Sequence, residues 1–387
     1  MSDRDRFADL SQKALSQQDM TQQDRQFWIE YILRFLKDKK AEDYALGDIL
    51  EWNFTGDNII FTQDGLQIPL DQISNDYVVD ITLTGTGTIY ADAVYVSSNY
   101  IYVGGRFETI GGVSSNNIAR FDRTTGTWTA MSGIDFSAAG RVNDICVSSG
   151  GTVYICGNFL IGASPFLFAK WNGTSWDGIS GPNATCYALK ADASDNVYLG
   201  GDFTTCGVSN TAGIALYDGS NFTAVGTGMT SGDGVYGIDL DSSGNLYAVG
   251  YLTVAGGVTV VNVAKWDGAN WTAMGSGVGD GSDYAECIVI DSNDVIYVGG
   301  YFKTPPYLVK WAGTGWSAVG GGVTGDVRAL EVDEDDNLIV VGNFTAPFTR
   351  AAKWTGSGWK KVGDGFLTQQ RDVAVDSNGV LYIVGFN

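Results

Sequence analysis

The chain has 387 residues, of which 53 are glycine and 6 proline, and 44% are hydrophobic. That excludes a disordered Pro/Gly-rich polymer and leaves apolar material for a large core. There is no histidine and the formal net charge is −21, so histidine triads, His-ligated zinc and a His pH switch are excluded, and phosphate backbones and anionic lipid are repelled.

Taken in chain order, the start MSDRDRF has no apolar export signal, and no stretch reaches the ~20 apolar residues of a membrane span. Residues 1–57 read as a helical docking segment. Phe7, Leu10, Ala14 and Leu15 fit one face of a short helix, and Thr21 with Asp24 marks the cap of a second over 22–39. In the second, Phe27, Trp28, Ile29, Tyr31, Ile32, Leu33, Phe35 and Leu36 leave only a narrow polar strip. A helix apolar nearly all round must be buried. This one is too short to span a bilayer, so a neighbouring protein is its expected partner.

Residues 58–387 read as all-β. The segments IYVGGRF, VYICGNF, VYLGGDF, LYAVGYL, IYVGGYF, LIVVGNF and LYIVGFN align on Gly105, Gly157, Gly201, Gly250, Gly300, Gly342 and Gly385, at spacings of 52, 44, 49, 50, 42 and 43. Two aromatics follow each of the first six glycines: Phe121/Trp128, Trp171/Trp176, Tyr217/Phe222, Trp266/Trp271, Trp311/Trp316 and Trp354/Trp359. Apolar alternation broken by Asp/Asn/Ser/Gly clusters gives four short strands per unit, the pattern of a propeller blade. Six units are complete. The seventh supplies only two strands at 372–387, and an open sheet edge is an aggregation hazard. A seven-bladed β-propeller is therefore expected, its last blade completed by N-terminal strands. Residues 58–70, which place Asp-Gly between two apolar runs as 262–274 do, are preferred over 77–83 as the donor.

The repeated unit resembles kelch-like propeller repeats of bacterial surface proteins and bacteriophage virion proteins, through features such as Gly104, Gly105, Phe121 and Trp128. The likeness covers about three quarters of the chain, although the first glycine becomes Cys156, Val249 or Val341 in other copies. It implies binding or scaffolding. A propeller behind a helical anchor is also similar in organisation to phage head or tail appendages.

Five first-hairpin turns are acidic, at 192–196, 241–245, 291–294, 333–337 and 376–379. Calcium is one reading. The preferred one is that Asp and Asn bond their own turn backbone. The recurrent aromatics suit packing between blades rather than ligand stacking. Phe166, Tyr307 and Phe348 do not recur in this way. Each follows a proline in a second-to-third-strand loop, on the face that also carries the blade-to-blade connections, and they are the candidate ligand contacts. Asp280, Asp283 and Glu286 are considered as acid/base carboxylates, but nothing marks a pair. Five cysteines without a CxxC suggest neither a disulfide framework nor a zinc site.

The expectation is a non-enzymatic virion protein without cofactor or metal, made in the host cytoplasm. Its N-terminal helices would dock on other virion proteins, and its propeller would act as a spacer or meet a host-surface glycan or protein. No nucleic acid partner is expected. The alternative is a cell-surface carbohydrate-binding propeller.

Overall fold

A computed structural model describes residues 88–387 except 136–139, 209–210, 231, 281, 304–306, 364–365, 367 and 387, together with the short pieces 52–53, 60–61 and 83–84. The chain divides into two compact units. The first comprises 1–75 with 121–128, and the second 76–120 with 129–387. In the first unit Trp52–Asn53 pairs antiparallel with Ile60–Phe61, and the rings of Phe121 and Trp128 lie 5.4 Å apart.

The second unit is a β-propeller. Six blades of four antiparallel strands begin with the strands Tyr90–Val96, Arg141–Val147, Cys186–Ala191, Gly234–Leu240, Tyr284–Ile290 and Asp326–Val332. The second blade carries an extra two-residue strand, Ile134–Asp135. A hairpin of Gln370–Val375 and Leu381–Gly385 follows the sixth blade. Each first strand packs against the first strands before and after it, and Gln370–Val375 touches both Asp326–Val332 and Tyr90–Val96, so the first strands form a closed ring.

Apolar clusters fill the wedges between neighbouring blades. Cys146, Tyr154 and Phe168 of blade 2 meet Leu199, Phe203 and Tyr217 of blade 3, and Val327, Leu330 and Val340 of blade 6 meet Tyr297 and Leu308 of blade 5. The recurrent aromatics of blades 2 to 6 belong to these wedges. Within each pair the rings lie 4.9–5.5 Å apart, at Tyr217/Phe222 and Trp266/Trp271 for the extremes. The second tryptophan also donates its indole N–H to the preceding blade: Trp176 to the Met131 carbonyl, Trp271 to Val225, Trp316 to Met274 and Trp359 to Gly320, each at 3.0 Å. Trp316→Phe keeps one aromatic ring but removes the N–H and the rest of the indole. It should cost about 2 kcal/mol, hydrogen bond and lost packing together, read as a lower urea midpoint at unchanged slope.

The repeat's second glycine has a physical cause. Opposite each one the first strand carries a β-bulge, with Asp92, Asn143, Tyr187, Tyr236, Glu286, Arg328 and Arg371 as the unpaired residues. The bulge pushes the first strand's backbone towards the second. A Cβ at Gly300 would sit 2.6 Å from the Tyr284 carbonyl oxygen, and the other six glycines meet an equivalent carbonyl. Only glycine leaves room for that approach.

Two expectations need correction. The described structure has six four-stranded blades, not seven, and it has no helix. Among the described residues the closing hairpin is two-stranded, and the described parts of the expected donors pair elsewhere; the rest of 58–70 and 77–83 lies outside the described residues. Ile60–Phe61, from the preferred donor, pairs with Trp52–Asn53, and Leu83–Thr84, at the end of the other, pairs with Thr109–Ile110. Closure does not require outer strands, since the ring contacts are made by the first strands near the axis. The expected helix over 22–39 and its docking residues Phe27, Trp28, Ile29, Tyr31, Ile32, Leu33, Phe35 and Leu36 lie outside the described residues.

Candidate recognition site at the mouth of the ring

A β-bulge re-aims the side chain it carries. Here all seven bulge residues line one axial pocket of about 500 Å³, joined by Arg141, Asp144, Tyr284 and Asp372 among others. This is within the range of roughly 300–1,000 Å³ typical of small-molecule sites. The pocket lies where the first strands begin, on the face of the blade-to-blade connections and the second-to-third-strand loops.

One side of the mouth is charged. Arg371 donates to Asp92 at 2.6 Å while its guanidinium lies 4.8 Å from the Tyr90 ring centre and 4.5 Å from that of Phe386. Arg141 stands 4.0 Å from the other oxygen of Asp92. Arg328 donates to Glu286 at 2.7 Å and lies 3.6 Å from Asp326. Burial pushes the carboxyls of Asp92 and Glu286 up, and the facing arginines pull them back only in part. The other side is aromatic. Tyr187 meets Tyr236 edge-on at 5.4 Å, Tyr236 meets Tyr284 edge-on at 5.9 Å, and Tyr284 stacks on Tyr301 at 5.7 Å. Tyr187 donates its hydroxyl to Asp202 at 2.6 Å, and burial together with that carboxylate keeps it protonated.

Buried aspartates staple the ring together. Asp144 accepts the Leu189 N–H of the next blade at 2.7 Å, Asp239 accepts that of Ile290 at 2.8 Å, and Asp372 accepts that of Val94 across the closure at 2.8 Å. Three residues beyond the bulge position, Lys190 is ion-paired with Asp239, and the Glu331 carboxyl also acts on it. The Lys190 side chain keeps 42% of its accessible surface although protein surrounds it, because that surface faces the axis of the ring. Burial pushes both Asp144 and Glu331 up to about 7, against their backbone N–H donors and Lys190.

Of the residues singled out from sequence, Tyr307 and Phe348 share one core and Phe166 lies in another. Phe166 is half-buried in blade 2, paired across strands with Phe159. Tyr307 and Phe348 are half-buried against the core between blades 5 and 6. Tyr307 alone is linked to the mouth: its ring meets Tyr301 at 6.5 Å and so extends the row of tyrosines. Its backbone has φ 54, an unusual conformation for a bulky side chain. Asp280 and Asp283 form a connector turn, in which the Asp280 N–H donates to Asp283, while Glu286 is a bulge residue. The bulge residues were the signal missed. Each stands 13 or 14 positions before the repeat glycine and is polar, charged or aromatic in all seven copies.

The acidic turns satisfy themselves. Asp192, Asp241, Asp291, Asp333 and Asp376 each accept two backbone N–H groups of their own turn. Asp195, Asp294 and Asp336 reach across to serines of the preceding blade. Lys353 sits 3.0 Å from Asp333, which explains how four successive acids at 333–336 are tolerated. Among the described residues no three acidic, histidine or cysteine side chains converge as metal ligands. All five cysteines are buried free thiols, and burial raises those of Cys146, Cys156, Cys206 and Cys287, so they are poor nucleophiles.

No protein-family profile and no curated protein matches the chain in sequence. Solved structures do match in fold. Selenomethionine-substituted virginiamycin B lyase from Staphylococcus aureus aligns at 10% identity and a TM-score of 0.52, over 80% of this chain and 98% of the lyase. YCF48 bound to D1 peptide aligns at 13% identity and a TM-score of 0.52, over 80% and 92%. At such identities the likeness shows a β-propeller fold.

Proposed function

We propose that this chain is a recognition protein that binds a polar ligand at the mouth of its propeller and releases it unchanged. The observation that carries the reading is the set of seven bulges. Every first strand interrupts its ladder to turn one large polar, charged or aromatic side chain into the same pocket. Packing alone would favour small apolar residues at those points. Binding is preferred over catalysis because Asp92 and Glu286, the two bulge carboxylates, are both engaged by arginines.

Attachment of a phage particle to a host-surface glycan or protein is the finer setting proposed for this module. It rests on the organisation of the sequence. The test is a thermal-shift screen of the full chain against glycans, peptides and metabolites. A paired variant, Arg328→Ala with Glu286→Ala, removes both halves of one ion pair and leaves only the partly exposed Asp326 without its arginine. A mouth ligand should stabilise the wild type and not the variant, and mass spectrometry should recover it intact. Equal stabilisation of both proteins, or chemical conversion of the ligand, would contradict the proposal.

A further inference from the structure

Resting on that reading of the mouth, we infer that its ligand is a neutral oligosaccharide, laid along the row Tyr187, Tyr236, Tyr284, Tyr301 and Tyr307 with its end among the Arg–carboxylate pairs. Five half-buried tyrosines in continuous ring contact run from the axial pocket out to the second-to-third-strand loop of blade 5. A row of this kind suits an extended chain of repeated units better than a compact metabolite. A tyrosine ring has a flat apolar face and a polar tip, which match a sugar ring's C–H face and peripheral hydroxyls, although Tyr301 already stacks on Tyr284 and has the Lys303 ammonium 5.7 Å from its centre.

The charged side of the mouth fits the same chemistry. A sugar hydroxyl donates and accepts at once, and an Arg–carboxylate pair presents both functions side by side. Arg371 with Asp92 and Arg328 with Glu286 are two such pairs, held in place before any ligand arrives. The Asp92 side chain is 7% exposed, and its Oδ2, 4.0 Å from Arg141, is a buried acceptor without a hydrogen-bond partner. An apolar peptide anchor finds no aliphatic side chain among the seven bulge residues, and apolar lining only at positions such as Leu189, Ile238, Ile288 and Leu330 beside them. An anionic polymer meets a chain of net charge −21. A neutral glycan meets neither obstacle.

The experiment is calorimetric titration of the full chain with maltohexaose, cellohexaose, chitohexaose and mannohexaose, with polygalacturonate as the anionic comparison. At least one neutral hexaose should bind saturably. Tyr236→Ala and Tyr284→Ala should each weaken it about tenfold or more, while Tyr236→Phe, which keeps the ring, should stay within a few-fold of wild type. Tyr307→Ala, remote from the axis, should weaken the hexaose but not the corresponding disaccharide. Failure of all four hexaoses to bind, preference for polygalacturonate, or affinity indifferent to these tyrosines would overturn the inference. A peptide that emerges from the thermal screen as the mouth ligand would overturn it too, while leaving the recognition site standing.

Discussion

Gly342→Ala should cost about 3 kcal/mol, whereas Gly358→Ala, in the same blade, should fall within about 0.5 kcal/mol of wild type. The two glycines differ in what a new methyl group meets. At Gly342 it would lie inside contact distance of the Asp326 carbonyl, against the bulge that carries Arg328; at Gly358 nothing lies within 4 Å. Backbone cannot swing aside as a side-chain tip can, so the first change must flatten the bulge or part the strands. Flattening also turns Arg328 away from Glu286, so ligand binding should fall together with stability. Urea unfolding of both variants checks the contrast. Equal costs would mean that the repeat glycine is kept for chain flexibility rather than for the bulge.

That glycine marks how far the sequence was legible. Its recurrence, with the aromatic pair, revealed six blades because these residues answer to constraints identical in every copy: a carbonyl at close range and an indole N–H reaching the previous blade. The Asp turns were legible for the same reason, since each closes on its own backbone. The mouth was not, because its residues differ from copy to copy, as Asp92, Asn143, Tyr187, Tyr236, Glu286, Arg328 and Arg371 show. A search for constancy passes over positions where a ligand demands variety. Closure was misread for another reason. The Asp-Gly turn within 58–70 looks like a blade's outer hairpin, but the apolar run before it has another partner close by in the chain, since Ile60–Phe61 pairs with Trp52–Asn53. Phe166, Tyr307 and Phe348 shared a proline and a loop position; Tyr307 and Phe348 pack against one core between blades 5 and 6, while Phe166 packs in blade 2.

Stability should rise as the pH is lowered from 8 towards 5, and fall again below about 4. Asp144 and Glu331 ordinarily titrate at 3.8 and 4.5, and burial pushes each up to about 7 in the folded protein; Asp372 is raised as well. Between about 7 and 4 the folded state therefore binds more protons than the unfolded state, and unfolding must release them. Stabilisation is complete below the unfolded values and is lost as the pH rises through 7. Two turn carboxylates work in the opposite sense. At Asp241 and Asp333 burial raises the carboxyl, but the hydrogen bonds of Asn245 and Asn337 outweigh it and leave the group lowered, so their contribution is lost in acid. The midpoint of thermal unfolding should be several degrees higher at pH 5.5 than at pH 8, and Glu331→Gln should flatten the slope. Relief of general repulsion acts in the same direction, but high salt screens it while leaving the buried groups largely unaffected. A midpoint that stays flat or falls towards pH 5.5 in high salt would show that these carboxyls are hydrated.

The most direct test of the account is titration of a mouth ligand from the thermal screen into the wild type, the Arg328→Ala/Glu286→Ala protein and Gly358→Ala. Binding should be saturable in the wild type, at least tenfold weaker in the paired variant and unchanged in Gly358→Ala, with all three proteins folded by circular dichroism. Full affinity in the paired variant would place the ligand elsewhere and contradict the claim that the bulges of the ring exist to furnish a binding site.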